Sequence, residues 1–141
     1  RYCNPRNKEA FVKEDVEYEI EYRKKTRSEL VGFSYNDLES WKKNFKEFNF
    51  VKAIQKDIKN FDFNEIRPLK FVLLDVDLYL PTLTALKKLK NNMTPGGILM
   101  VDDVSQDNSW DGANQAFNEF VKQHSLKFRL IGKKCGIIEF K

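Results

Sequence analysis

Four aspartates stand at two places where the chain turns abruptly from apolar to acidic. Phe71-Val72-Leu73-Leu74 is a continuous apolar run that stops at Asp75, with Asp77 two residues on. Ile98-Leu99-Met100-Val101 repeats the device and stops at Asp102 and Asp103. Such runs are the pattern of strands buried on both faces of a parallel sheet, so each acidic group falls at the carboxyl end of a strand. Carboxylates gathered there repel and raise one another's pKa unless a cation or a donor-rich ligand neutralises them. The chemistry this supports is a divalent metal site, in which carboxylate oxygens hold Mg²⁺, Mn²⁺ or Ca²⁺ and leave positions for substrate oxygens. The other reading is capping: Asp77 would cap the helix through Leu83, and the rest would be solvated loop carboxylates.

The elements around these residues must bring the two acidic ends together. Leu83, Leu86 and Leu89 follow the first strand in helical period, and Pro95-Gly96-Gly97 breaks that helix before the second strand. Strand, helix and strand then form a right-handed crossover unit with both acidic ends on one sheet edge, where open α/β sheets bind ligands. Ala113, Ala116, Phe117, Phe120 and Val121 predict a strongly amphipathic helix ending near His124. Residues 127–131 and 135–140, around Gly132-Lys133-Lys134, predict a closing antiparallel hairpin.

Upstream the pattern is weaker. Residues 1–33 form a charged segment, with a marginal amphipathic helix expected within 8–30 on Val16 and Ile20, and residues 34–141 form the α/β domain. Asn36 with Glu39 suggests a capping box for a helix carrying Leu38, Trp41 and Phe45, ending near Phe48. Phe50 to Ile54 reads as a short strand.

At 141 residues, 41% hydrophobic and 33% charged, the chain has one domain's worth of apolar mass, which excludes disordered and collagen-like classes. Its apolar runs are far shorter than the ~20 residues of a membrane span, so no membrane partner is expected. Cys3 and Cys135 are too few for a disulfide scaffold and lack metal-ligand spacing, which points to free thiols in a reducing, cytoplasmic setting. A net charge of +4 without a nucleic-acid-binding motif gives no reason to expect a nucleic-acid partner; the lysine-rich stretch after Trp41 reads as a solvated helix face.

The run Leu74-Asp75-Val76-Asp77-Leu78-Tyr79 with Thr82, then Thr94-Pro95-Gly96-Gly97 and Val101-Asp102-Asp103, resembles the carboxyl-terminal half of the macrocin O-methyltransferase type. These are class I, S-adenosylmethionine-dependent, metal-assisted enzymes that methylate sugar hydroxyls of natural products. The D-x-D-x-Y-x-x-T motif, the P-G-G turn and the paired aspartates arrive in order, and a looser likeness runs from Ser34 to residue 140. The resemblance implies a Rossmann-like α/β sheet, Asp75, Asp102 and Asp103 as metal ligands with Mg²⁺ the expected ion, Asp57 near the cofactor's adenine, and a sugar or polyol acceptor. It leaves the general base unassigned and gives Tyr79 a packing role.

Two parts of the family pattern have no counterpart. The first thirty residues contain no glycine and Gly32 stands alone, so the glycine-rich loop that cradles the cofactor is missing, and His124 at a helix end does not match the family's catalytic histidine. In this fold the first strand lies beside the Phe71 strand, which would otherwise present an unpaired apolar edge. The chain is accordingly expected to be a portion of a longer enzyme. Completion of the sheet by another chain, a homo-oligomer included, or coverage of the edge by the N-terminal segment would meet the same need. A non-catalytic α/β interaction module is the rival function.

Overall fold

The computed structural model describes residues 13–26, 38–105 and 111–141. The chain forms two compact units, residues 1–57 and 58–141. The boundary expected between residues 33 and 34 lies outside the described residues.

In the first unit, α1 spans Lys13–Glu21 and α2 spans Leu38–Asn44. Asn36, the expected cap of α2, and residues 8–12 and 27–30 of the expected first helix lie outside the described residues. Trp41 stacks on Phe45 at 4.2 Å, the one-turn pairing that their spacing predicts. The strand expected over Phe50 to Ile54 does not form: residues 51–57 are irregular, and Phe50 and Ile54 remain exposed. A short apolar run becomes a strand only where a neighbour takes up its backbone hydrogen bonds and a core takes its side chains.

The second unit carries the acidic strand ends. After a 3-10 turn at Phe63–Ile66, β1 (Leu69–Leu74) leads into α3 (Tyr79–Lys90) and then β2 (Met93–Val101). Helix α4 (Asp111–Gln123) and the hairpin β3 (Phe128–Ile131) and β4 (Cys135–Glu139) follow. The sheet order is β1-β2-β4-β3, with β1 parallel to β2 and the remaining pairs antiparallel. Register pairs Leu74 with Val101, so the two strands end side by side.

Alternation along the strands sorts the two faces. Leu74, Leu99, Val101 and Ile138 join Leu86 and Leu89 of α3 and Phe117 and Phe120 of α4 in one core. Thr82, Ala85, Leu86 and Leu89, at helical spacing, are the buried stripe of α3, and its Pro81 sits in the first turn, where a missing N–H costs nothing. Phe71 and Leu73 point to the other face and stay 60% and 57% exposed, and β1 is an outer strand of this sheet. Among the described residues β1 thus has no neighbour on its outer side, as expected for the Phe71 strand, and its face away from the helices is apolar.

The Pro95-Gly96-Gly97 segment does not end the helix. Asn91 caps α3, and the segment lies inside the early part of β2, where the register with β1 shifts between Leu69 and Phe71. Gly96, at φ 70°, supplies the left-handed backbone of this irregularity, and Lys70 Nζ donates to the Pro95 carbonyl at 3.1 Å across it.

Gly136 of β4 faces the core, where a Cβ would come within 2.5 Å of the Phe117 ring. That ring is fully buried and meets Phe128 edge-on, so it has little room to yield. Gly136→Ala is expected to lower the unfolding free energy by about 1–3 kcal/mol, measured by urea denaturation, and an unchanged midpoint would show that the packing tolerates the methyl group.

Candidate metal centre

The two acidic ends meet as the strand pattern requires. Asp75, Asp77 and Asp103 each direct a carboxylate oxygen into one group, with all three atoms within 4.8 Å of one another. The ladder continues one step past the strands, where the Asp102 N–H donates to the Leu74 carbonyl at 2.9 Å and fixes the second acidic pair beside the first. Asp77 and Asp103 are buried, and Asp75 is the most open of the three.

Backbone conformation aims two of these carboxylates. Asp77 and Asp103 hold φ values of 56° and 58°, the left-handed region that aspartate tolerates better than most side chains. Asp77 is consequently not the cap of α3. Leu78 occupies the cap position, no side-chain hydrogen bond closes the helix there, and the left-handed turn sends Asp77 toward Asp75 and Asp103. The expectation that Asp77 serves as a capping residue is corrected.

Asp102, expected beside Asp75 and Asp103 as a ligand, has a different set of neighbours. Lys134 Nζ donates to Asp102 Oδ2 at 2.9 Å, and Cys135 Sγ donates to Oδ1 at 3.2 Å. The same ammonium lies 3.3 Å from Asp103 Oδ1. Burial pushes the Asp102 carboxyl up, but hydrogen bonds from Lys134, Cys135 and the Asp103 backbone outweigh it and hold it below its ordinary 3.8. Burial, reinforced by the Asp102 carboxylate, raises the Cys135 thiol. Hydrogen bonds to both aspartates raise the Lys134 ammonium well above its usual range.

Two contacts from α4, at Gly112 and Glu119, support the acidic turn. Gly112, in the first turn of α4, has so little room that a Cβ would lie 2.6 Å from the Tyr79 nitrogen and 3.0 Å from the Asp77 carbonyl oxygen. Tyr79 is buried, as its packing role implied, and its hydroxyl also donates to Glu119 Oε2 at 2.5 Å. Helix α4 is thereby seated directly on the D-x-D-x-Y segment. A glycine in the first turn of a helix is the available signal, and nothing in one sequence says what approaches it. Asp57, expected near a cofactor, is half-buried and closes the first unit. His124 stacks edge-on with Phe120 and pairs through Nδ1 with Lys90 Nζ at 3.0 Å.

The donor set fits a hard divalent cation: three carboxylates from two strand ends, with oxygens close enough to share one ion and no sulfur or imidazole among them. This mixed four-stranded sheet with its helices is similar in fold to methyltransferase structures. The chain belongs to the macrocin-O-methyltransferase (TylF) family, whose pattern matches residues 12–133. That match takes in much of the N-terminal stretch that the motifs alone do not reach.

The structure of the O-methyltransferase NovP superposes with a TM-score of 0.62 at 18% identity, over 74% of this chain and 45% of that one. CalS11, a calicheamicin methyltransferase, superposes with a TM-score of 0.56 at 19% identity, over 81% of this chain and 54% of that one. The chain spans about half the length of these structures. No curated protein sequence matches it. Among the described residues, no helix is long and apolar enough to cross a membrane.

The close seat of α4 and the Asp102 ion pair can each be tested. Gly112→Ala is expected to cost about 1–3 kcal/mol in urea denaturation, and a nuclear magnetic resonance map should place its largest shifts at residues 77–79 rather than at the far end of α4. Because the Asp102 pKa is lowered on folding, its contribution to stability is present above 3.8 and lost as pH falls through the lower native value. Asp102→Asn should therefore destabilise the protein near pH 7, with the difference from wild type shrinking as pH falls below 3.8 and through the lower native value; a difference independent of pH would refute the ion pair's part in it.

Proposed function

We propose that this chain supplies the metal and acceptor half of an S-adenosylmethionine-dependent O-methyltransferase acting on a hydroxyl of a sugar or polyol. The observation that carries the reading is the convergence of Asp75, Asp77 and Asp103 at two parallel strand ends in a chain of the macrocin-O-methyltransferase family. These three residues are the proposed ligands of a divalent cation, Mg²⁺ in the first instance. Asp102 stands beside them as the partner of Lys134 rather than as the first choice of ligand. The structural neighbours lend support, since CalS11 is a TDP-rhamnose 3'-O-methyltransferase.

A bound cation would supply Lewis acidity, lowering the pKa of an acceptor hydroxyl that is otherwise far too weak an acid to lose its proton near neutrality. The methyl group would come from the sulfonium of S-adenosylmethionine. What the protein's own residues contribute is position. The paired strand ends hold the carboxylates at one edge, α4 seated on Gly112 fixes the Asp77 turn, and the hairpin holds Asp102 and Lys134 against Asp103. No side chain among them is assigned as general base.

Cofactor capture requires more than this group. The sequence holds no glycine-rich cluster before β1, and among the described residues β1 is an outer strand of its sheet, so the reading places the cofactor loop in residues outside this chain, completing the sheet beside β1. Asp57 is the residue of this chain proposed to approach the adenine, and the setting is cytoplasmic. The test is a calorimetric titration with S-adenosylhomocysteine, with and without Mg²⁺, followed by a methyl-transfer assay on sugar acceptors. The chain alone is expected to bind the cofactor product weakly or not at all, and the chain joined to a complementary N-terminal half should bind it and transfer methyl groups only with Mg²⁺. Metal-independent transfer would refute the metal's role, and a completed sheet with no cofactor binding would favour a non-catalytic interaction module.

A further inference from the structure

Lys134 places an ammonium group on the acidic strand ends, and its position is built into the hairpin. The turn between β3 and β4 uses left-handed backbone at Gly132 and Lys133, with φ of 61° and 57°, to bring Lys134 back across the end of β2. Two backbone hydrogen bonds anchor it there. The Val104 N–H donates to the Lys134 carbonyl at 2.8 Å, and the Lys134 N–H donates to the Ile131 carbonyl at 3.2 Å. The main chain of Lys134 is thus tied to the loop that carries Asp103.

The side chain is differently placed. Its ammonium is closer to Asp102 Oδ2, at 2.9 Å, than to Asp103 Oδ1, at 3.3 Å, and the side chain remains 54% exposed while Asp102 and Asp103 are 19% and 8% exposed. A long, half-exposed stem can move its charge without disturbing the backbone. Asp102 is held independently by Cys135, so its position does not depend on the lysine alone.

We propose that Lys134 is the resident counter-ion of this acidic group and competes with a divalent cation for Asp103, so that the β3–β4 turn sets how tightly the site holds metal. The proposal rests on the reading of Asp75, Asp77 and Asp103 as a metal site. Any cation that takes Asp103 as a ligand shares a carboxylate with an ammonium group, and like charges at such separations repel even when partly screened. Lys134 relaxes onto Asp102, its nearer partner, as Asp103 is given up. The lysine therefore limits the site's affinity while offsetting the repulsion among the carboxylates when no metal is bound.

The test is calorimetric titration of Mn²⁺ and Mg²⁺ into the wild-type chain, Lys134→Met and Lys134→Arg, with circular dichroism and metal-free thermal unfolding recorded for each. Lys134→Met is expected to bind either cation about threefold to tenfold more tightly while melting at a lower temperature without metal; Lys134→Arg, which keeps the charge, should bind as wild type does. Should Lys134→Met not fold, Lys134→Gln serves the same comparison. Unchanged or weaker binding by the neutral variants, with circular dichroism intact, overturns the competition while leaving the metal site standing. Absence of cation binding in the wild type and every variant overturns both.

Discussion

Electrostatic repulsion among carboxylates is the constraint around which the second unit is organised. Parallel pairing of β1 and β2, connected through α3, brings two acidic strand ends to the same edge, and the ladder bond from Asp102 to Leu74 holds them together one step past the strands. Charge of one sign at this density must be offset by an opposite charge or carry a pKa penalty. The fold offers Lys134 for part of this and holds Asp75, Asp77 and Asp103 close enough to share a divalent ion. The hairpin carries Lys134 to the site, and α4, packed on Gly112, prevents the Asp77 turn from relaxing outward.

The same geometry divides the paired aspartates. Asp102 and Asp103 are neighbours in sequence, yet the left-handed backbone at Asp103 turns its carboxylate toward Asp75 and Asp77, whereas Asp102 faces the thiol of Cys135 and the ammonium of Lys134. Two consecutive carboxylates thus have different work: one completes an oxygen-rich group, and the other holds the charge that balances it.

Much of this is legible from residue pattern. Uninterrupted apolar runs ending in aspartate mark β1 and β2, leucines at helical spacing mark α3, and the alternation around Gly132-Lys133-Lys134 marks the hairpin. Those signals are strong because a run or stripe that must face a core leaves few alternatives. The burial on both faces that the Phe71 run suggests is not met: Phe71 and Leu73 stay exposed on the face of β1 away from the helices. What the residue pattern does not carry is direction. A left-handed φ at an aspartate leaves no trace in composition, so the pattern favours a cap at Asp77 and does not separate Asp102 from Asp103. Lys134 carries no signal in sequence either, since its role depends on a hairpin returning across the end of β2. The segment from Phe50 to Ile54 shows the converse: its apolar residues suggest a strand, but pairing is a tertiary matter and these residues lie in irregular, exposed backbone.

The roles of the carboxylates are tested most directly by Mn²⁺ titration, followed by electron paramagnetic resonance, of Asp77→Asn, Asp103→Asn and Asp102→Asn against wild type. If Asp75, Asp77 and Asp103 hold the cation, Asp77→Asn and Asp103→Asn should each weaken binding by about tenfold or more, and Asp102→Asn should have a clearly smaller effect. Loss of binding in Asp102→Asn with wild-type affinity in Asp77→Asn would contradict the assignment.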